Sequence, residues 1–129
     1  MAGVPRPLIE RTFEFAKRVR RFVTRVPRTI ANVEDVRQLI RSSGSLASNY
    51  LESQEALSRK DFFYRVKVCR KEARESGLWL RLIDAGADAD AISERKALFL
   101  ECEALTRIFS SIAGKDRPAD NRQNSHSRA

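Results

Sequence analysis

Apolar residues recur every three or four positions along almost the whole chain, which is the period of an amphipathic α-helix. The first predicted helix runs from about Pro7 to Val26. Pro27 ends it, because proline cannot continue the helical hydrogen-bond ladder. Its predicted core residues are Ile9, Phe13, Ala16, Val19, Phe22 (or Val23) and Val26.

The second predicted helix runs from about Thr29 or Asn32 to Ala56 and crosses a stretch of small residues. The serines and glycine at 42–45 would by themselves indicate a loop. Because the apolar period passes through them in phase, we predict a continuous helix with small residues at a close helix crossing; the alternative is a helix break there. The predicted core residues are Val33, Val36, Ile40, Ser43, Ala47, Tyr50, Gln54 and Leu57.

The third helix is predicted to begin at Ser58, since Asp61 three residues later completes a variant of the capping box. Residues 84–90 form a short connection in which Gly86 is the expected C-cap. The core residues predicted for this helix are Phe62, Val66, Cys69, Ala73, Ser76, Leu80 and Ile83.

The fourth helix is predicted from about Ala91 to Ala113, and Gly114 ends it. Its predicted core residues are Ile92, Phe99, Cys102, Leu105 or Thr106, Phe109 and Ile112. Residues 115–129 are polar and are expected to be a disordered tail. Four amphipathic helices with short connections predict an all-α fold, an antiparallel up-down-up-down four-helix bundle over residues 1–114.

Composition limits the cellular setting. No apolar run approaches the length of a membrane span, and residues 1–7 lack the apolar segment of a secretory signal. Two cysteines without a spacing pattern do not indicate a disulfide scaffold. We therefore expect a cytoplasmic protein that does not contact a membrane.

Catalysis and metal binding are not expected. His126, in the predicted tail, is the only histidine of the chain, so neither a Glu-x-x-His metal site nor a histidine-based triad can form in the bundle. Cys69 and Cys102 fall on core stripes, which predicts buried thiols rather than nucleophiles. The pairs Glu52/Glu55 and Glu72/Glu75 are flanked by basic residues, which favours ion pairs on a solvated face. No cofactor is predicted.

The charge balance points to a polyanionic partner. Lys and Arg total 25 against 17 acidic residues, a net charge of +8, which favours nucleic acid ahead of an anionic membrane. The alternative is a soluble protein with a generously charged surface. On the first helix, the cations predicted to bind nucleic acid are Arg18, Arg21 and Arg25.

A second stripe of the third helix lies opposite its core stripe, and we name it the α3 stripe. On it the predicted nucleic-acid-binding residues are Lys67, Lys71, Arg74 and Arg81. Two alternatives stand beside this interpretation: a solvated face whose cations pair with Glu72 and Glu75, or a protein–protein patch that uses Tyr64, Leu78 and Trp79. The α3 stripe consists of Lys60, Tyr64, Lys67, Lys71, Arg74, Leu78 and Arg81.

Three segments resemble the family of 23S rRNA intervening-sequence proteins, or S23 proteins. The small-residue stretch before Asn49, Tyr50 and Glu52 is similar to the family's Asn-Ile/Tyr-x-Glu signature. Ser58 to Phe62 and Lys71 to Leu80 are similar to its Ser-x-x-Asp-Phe and Lys-Glu-x-x-Glu-x-x-x-Trp-Leu patterns. The likeness covers about residues 9–114. Many members continue the signature with Glu-Gly, where this chain has Glu52-Ser53.

The resemblance implies a left-handed four-helix bundle, often a ring-like homopentamer, with no established enzymatic activity or cofactor. It also implies kinship with the accessory variability proteins of diversity-generating retroelements, basic pentamers that bind nucleic acid and a reverse transcriptase. A homo-oligomer, pentameric in the family's manner, is therefore expected, with a reverse transcriptase as a conceivable protein partner. The residues expected at the oligomer interface are Asn49, Tyr50, Phe63 and Trp79.

Together these observations predict a non-enzymatic, oligomeric bundle that binds RNA or DNA electrostatically through basic helix faces. Sequence selectivity is expected to be weak, because no motif that reads base edges is visible. The competing hypothesis is a protein–protein adaptor or structural oligomer whose cations only keep it soluble.

Overall fold

The computed structural model describes residues 7–117, which form four α-helices. These are α1 (Leu8–Val23), α2 (Ile30–Gln54), α3 (Arg59–Leu82) and α4 (Ala89–Ala113). Each helix packs on the next, α4 closes on α1, and the contact between α2 and α3 is the most extensive. No strand interrupts this arrangement between residues 7 and 117. The predicted all-α four-helix bundle is confirmed.

The helix ends follow local capping chemistry. The hydroxyls of Thr29 and Ser58 accept hydrogen bonds from the backbone N–H groups of Asn32 and Asp61, so α2 and α3 begin where the sequence predicted. Helix α4 begins earlier than predicted, because the Asp88 carboxylate accepts from the N–H groups of Asp90 and Ala91. Helix α1 ends at Val23 rather than Val26.

Gly86 does not cap α3 as predicted. The C-cap is Ile83, and Gly86 lies in the following turn with a φ of 75°, a left-handed conformation that glycine adopts without steric cost. A Cβ at this position would also lie 2.8 Å from the Cγ of Pro27, which belongs to the α1–α2 connection. Gly86 is therefore needed where the two connections at this end of the bundle meet.

Asn32 joins the same two connections from inside. Its side-chain N–H groups donate to the carbonyls of Pro27 (2.9 Å) and Asp84 (2.8 Å), and its Oδ1 accepts from the Asp84 N–H (3.0 Å). Asn32 is almost fully buried, so each of these bonds satisfies a polar group that water cannot reach.

Helix α2 is continuous through residues 42–45, as predicted, and the small residues lie at its crossing with α3. Ser42 and Ser76 are both buried, and their hydroxyl oxygens are 2.7 Å apart in a hydrogen bond between the helices. The Ser42 hydroxyl also donates to its own helix at the Leu39 carbonyl. Small side chains thus bring the two backbones together without leaving the serines unsatisfied.

The predicted core stripe of α3 is confirmed, with six residues buried and Phe62 partly buried. The stripes of the other helices are confirmed in part: on α1, Ala16, Val19, Phe22 and Val26 are buried as predicted, and the error lies in its first turns. On α1, Phe13 is 55% exposed, whereas Thr12 and Phe15 are buried. The reason is that the Thr12 hydroxyl bonds to the Leu8 carbonyl (2.8 Å), so a polar side chain occupies a core position at little cost.

On α2 most of the predicted face is shifted, although Ser43 is buried as predicted. Leu39 and Leu46 fill the core of α2, while Val33 and Leu57, which we predicted to be inward, are exposed. The serines whose hydroxyls bond to their own helix lie on the face of α2 that packs against α3. On α4, Ile92 is exposed, whereas Cys102, Leu105 and Phe109 are buried as predicted, and three further core residues were absent from the prediction, Ala91, Leu98 and Ala113. The buried residues of α4 are Ala91, Leu98, Cys102, Leu105, Phe109 and Ala113.

A ladder of ion pairs joins α1 to α4. Arg11 donates two hydrogen bonds of 2.8 Å to Glu101, and Arg18 donates bonds of 3.1 and 2.7 Å to Glu94. Arg25 lies 3.0 Å from Asp88 and 3.2 Å from Asp90. The three arginines stand at every seventh residue, so they face α4 along one line. The bonds to Glu101 and Glu94 raise the pKa values of Arg11 and Arg18, which stay charged.

The tail begins later than predicted. The Arg59 guanidinium donates to the Lys115 carbonyl (3.0 Å), and Lys67 pairs with Asp116 at 2.9 Å. Residues 115–117 therefore include contacts to α3 and are not a free segment. The remainder of the predicted disordered tail, residues 118–129 with His126, lies outside the described residues.

The first prediction concerns the ladder. Arg18→Glu should lower the free energy of unfolding by about 1–2 kcal/mol, because it places a carboxylate against Glu94. The reversed pair Arg18→Glu/Glu94→Arg should recover part of that loss. Urea denaturation followed by circular dichroism measures both. A reversed pair no more stable than Arg18→Glu would show that the pair contributes nothing specific, and Arg41→Glu, the same charge change at an exposed position on α2, is the control for surface charge.

Candidate nucleic-acid interface

The α3 stripe is an exposed face, as predicted: all seven of its residues are exposed. Part of its charge is already paired, since Lys67 bonds to Asp116 and Lys71 lies 3.9 Å from Glu75. Arg74 and Arg81 make no ion pair within residues 7–117. Lys60 also has none, so two of the three unpaired cations of the stripe lie in its C-terminal half.

The cations predicted on α1 divide differently. Arg18 and Arg25 are paired with acids at α4 in the ion-pair ladder, so part of their charge is already neutralised within the chain, and their role in binding nucleic acid stays a prediction. Arg21 is exposed and has no ion pair among the described residues. Crowding of arginines along a sequence does not by itself give a free basic surface.

A groove between α3 and α4 is lined by five cations, and we name it the basic groove. Two adjoining hollows form it, with volumes of about 470 and 340 Å³, and Arg81 and Phe99 belong to both. Glu103 is the one acidic residue that lines either hollow. The cations that line the basic groove are Arg74, Arg81, Arg95, Lys96 and Arg107.

Three of these cations, Arg95, Lys96 and Arg107, were missed from the sequence. The signal was present, because Lys96, Phe99, Glu103 and Arg107 follow helical spacing on α4. We had placed Phe99 in the core, whereas it is only partly buried and lies at the junction of the two hollows. Residues of both α3 and α4 line the groove, and only the packing of the two helices brings these residues together.

Arg95 is the most constrained cation of the groove. Its Nη1 lies 3.3–3.4 Å from the carbonyl oxygens of Leu80, Arg81 and Ile83 and donates to them at the C-terminal end of α3. A cation at this end of a helix is favoured by the helix dipole. Its Nε is buried and has no hydrogen-bond partner in the structure. Arg95 therefore fixes the groove wall, while Arg74, Lys96 and Arg107 are exposed.

The residues predicted at an oligomer interface are mostly occupied within the chain. Phe63 is only 7% exposed, so the expectation that it is an exposed apolar residue is wrong. Tyr50 and Trp79 pack against the core, and Trp79 leaves its buried Nε1 without a partner. Asn49 donates to Ser45 and accepts a bond of 2.9 Å from Arg65. A role for these residues between subunits stays a prediction.

Other apolar residues are exposed instead. Ile9, Phe13 and Leu51 line one hollow between α1 and α2, together with Gly44, Ala47 and Ser48. Each of the three large side chains is between 42% and 55% exposed. We name these three residues the α1–α2 patch.

The acidic pairs do not form a metal site in the described part of the chain, where no group of three or more potential ligands occurs. Glu75 lies near Lys71, in agreement with the expected ion pairing. Glu72, by contrast, is buried and has no ion pair among residues 7–117, so its placement on a solvated face is wrong.

Among the helices of residues 7–117, none is both long and apolar enough to cross a membrane.

Both cysteines are buried free thiols, as predicted. Burial raises the pKa of Cys69 to about 12 and also raises the pKa of Cys102. Cys69 lies 3.7 Å from the Leu46 carbonyl, and Cys102 lies beneath the basic groove. A thiol that stays protonated at neutral pH is a poor nucleophile.

We predict that neither thiol of the folded protein reacts with a disulfide reagent such as DTNB at pH 8 on the timescale of minutes. Both should react at once in denaturant, because unfolding exposes them and restores their ordinary pKa values. The increase in absorbance of the released thiolate measures the reaction. Fast reaction of one thiol in the native protein would contradict its burial, and single Cys→Ala variants identify which one.

Comparison with solved structures shows a likeness over most of the chain. The fold is similar to that of a protein of unknown function from the S23 ribosomal protein family of Bacteroides thetaiotaomicron, with a TM-score of 0.68 and 22% sequence identity. The match covers 83% of this chain and 98% of the other. Neither a protein-family model nor a curated protein matches the chain. At this level of identity, the likeness establishes a shared four-helix fold.

Proposed function

We propose that this protein is a non-enzymatic nucleic-acid-binding bundle whose contact surface is the C-terminal half of the α3 stripe with the adjoining basic groove. The observation that carries the proposal is the distribution of unpaired charge. Five cations line the groove against one acid, whereas the arginines of the ladder are neutralised by α4. A polyanion would therefore bind where the protein has not already paired its own charge.

The chemistry of the cations supports a phosphate ligand. Four of the five groove cations are arginines, and the planar guanidinium matches the geometry of a phosphate with two parallel hydrogen bonds. Arg74 and Arg81 are seven residues apart on one helix face, a separation of about 10 Å along the axis. Contacts of this kind position a backbone without reading its sequence. Binding is accordingly weak in sequence selectivity and strongly dependent on salt.

The decisive variant is Arg74→Gln/Arg81→Gln. Losing two phosphate contacts should lower affinity about 10-fold or more at low salt and reduce the slope of log affinity against log salt by about two. Fluorescence anisotropy with labelled RNA and DNA, as single strands and duplexes, measures both quantities at several salt concentrations.

The matched control is Arg37→Gln/Arg41→Gln. These two arginines are exposed on α2, have no ion pair among residues 7–117, and carry the same charge. The control should leave the salt slope unchanged. Equal losses for both double variants would mean that only net charge matters, and no loss for Arg74→Gln/Arg81→Gln would show that the surface is wrong.

Self-association is a second candidate function, and the α1–α2 patch favours it. Two large side chains that are more than half exposed, Phe13 and Leu51, lie beside the small residues Gly44 and Ala47 in one hollow. Contiguous exposed apolar area of this kind marks contact surfaces in soluble proteins. Assembly of a homo-oligomer through this patch would cover the apolar area, and the basic groove between α3 and α4 would stay accessible.

We predict that the mass of the protein in solution exceeds 14.7 kDa and depends on protein concentration. The double variant Phe13→Ser/Leu51→Ser should shift the equilibrium toward monomer, because it removes the apolar area. Sedimentation velocity measures the distribution. Leu57→Ser is the control, since Leu57 is exposed outside the patch. A wild-type protein that is monomeric at every concentration would exclude this function.

The likeness to an S23-family structure supports placing the chain among S23-type bundles. Pentameric assembly, kinship with accessory variability proteins and a reverse-transcriptase partner all stay predictions. A salt-insensitive protein partner in place of nucleic acid would favour the adaptor hypothesis.

A further inference from the structure

We propose that the basic groove binds a single-stranded nucleic acid, with phosphates on its arginine rims and a base against the ring of Phe99. The inference rests on the proposed function and narrows it to one class of ligand. The groove runs along α4 from Ile92 to Arg107, a length of about 22 Å. It is thus long enough for a short stretch of strand rather than for one small molecule.

Its two rims carry the charge. Arg74 and Arg81 belong to α3, and Lys96 and Arg107 belong to α4. All four are exposed, and none has an ion pair within residues 7–117. A strand lying between the helices would therefore meet unpaired cations on both sides along its length. A backbone that lies in the groove would contact cations on both sides, whereas one that crosses a single helix would contact cations on one side only. More of its phosphates would therefore be neutralised in the groove.

The middle of the groove is apolar. Phe99 is partly exposed at the junction of the two hollows, and Leu78 lies on the opposite helix. Gly77 has no side chain, and a Cβ there would lie 3.6 Å from both the Cε1 of Phe99 and the Cβ of Cys102. The missing side chain leaves a recess beside the aromatic ring. An apolar recess between charged rims matches the alternation of base and phosphate in a nucleic acid.

Single strands fit this groove better than duplexes do. The bases of a duplex are paired and stacked inside it, so only its phosphates could meet the rims. A single strand presents unpaired bases, which stack on aromatic side chains of proteins. The cations on the rims would also bind an acidic peptide, but such a peptide has no planar group for the Phe99 ring. The combination of aromatic floor and cationic rims therefore favours single-stranded nucleic acid.

The test compares Phe99→Leu with Phe62→Leu. Both remove an aromatic ring from a partly buried position and keep an apolar side chain, but Phe62 lies outside the groove. We expect Phe99→Leu to weaken binding of a labelled single strand by about 10-fold, and to leave duplex binding within about 2-fold of wild type. Phe62→Leu should change neither. Fluorescence anisotropy gives the affinities, and thermal melting verifies that each variant is folded.

A second variant keeps the test valid if Phe99→Leu is unstable. Arg107 is exposed on the α4 rim, so Arg107→Gln should fold normally. It should weaken single-strand binding more than Arg41→Gln does, about 3-fold or more. Polyglutamate should compete poorly with the labelled single strand at equal charge. Effective competition by polyglutamate, or an Arg107→Gln variant that behaves as Arg41→Gln does, would overturn the inference.

The outcomes separate this inference from the proposed function. Absence of binding to any nucleic acid at low salt would contradict both this inference and the proposed function. Binding of single strands and duplexes with equal affinity, unaffected by Phe99→Leu but weakened by Arg74→Gln/Arg81→Gln, would leave the proposed function in place and overturn the role of the groove. Preferential loss of single-strand binding in Phe99→Leu would support both.

Discussion

The pairing of α1 with α4 determines which charges of this protein are left for a ligand. Arg11, Arg18 and Arg25 face Glu101, Glu94 and Asp88 along one line, so basic α1 is held to α4 by charge as well as by its apolar face. Exposed pairs of this kind add little stability one by one, but a row of two-point contacts fixes the register between two helices. It also engages Glu94 and Glu101 of α4, whereas Glu103 of the same helix remains beside the basic groove.

The consequence is a difference in pairing between the two basic regions of the bundle. On α1 the arginines of the ladder are paired with acids at α4, whereas the cations of the basic groove have no ion pair within residues 7–117 and Glu103 is the single acid that lines it. Arg21, Arg37 and Arg41 on the other two helices are also exposed without an ion pair in that range, so the groove is distinguished by five cations gathered at one place. A net charge of +8 describes the protein as basic without showing where its unpaired cations lie.

The fold could be predicted from the sequence wherever side-chain chemistry agreed with the period. The N-cap and the core stripe of α3 were predicted, because the residues of that stripe are apolar or small. In the first turns of α1 and along α2 the inward face is shifted, since Thr12 and Ser42 satisfy their hydroxyls on their own helices and enter the core as if apolar. The arginines of the ladder recur every seven residues, which is visible in the sequence. Their acidic partners could be identified only once the structure showed that α4 packs against α1. The groove required the packing of two helices, and for that reason Arg107 and Lys96 escaped prediction.

Arg74 and Arg81 belong both to the α3 stripe and to the basic groove, so a ligand of either surface would contact them. A duplex that lies across the convex stripe and a strand that lies in the groove would use the same two guanidinium groups. The two ligands would therefore exclude each other even though the rest of their contact surfaces differ. The preference between them then depends on what each adds to the shared pair: Lys60 and the partly neutralised Lys67 and Lys71 on the stripe, or Phe99, Lys96 and Arg107 in the groove. Two lysines of the stripe are already paired with Asp116 and Glu75, whereas the cations on the rims of the groove are unpaired and Phe99 adds an aromatic ring. On this comparison, a ligand in the groove is expected to bind more tightly than one on the stripe.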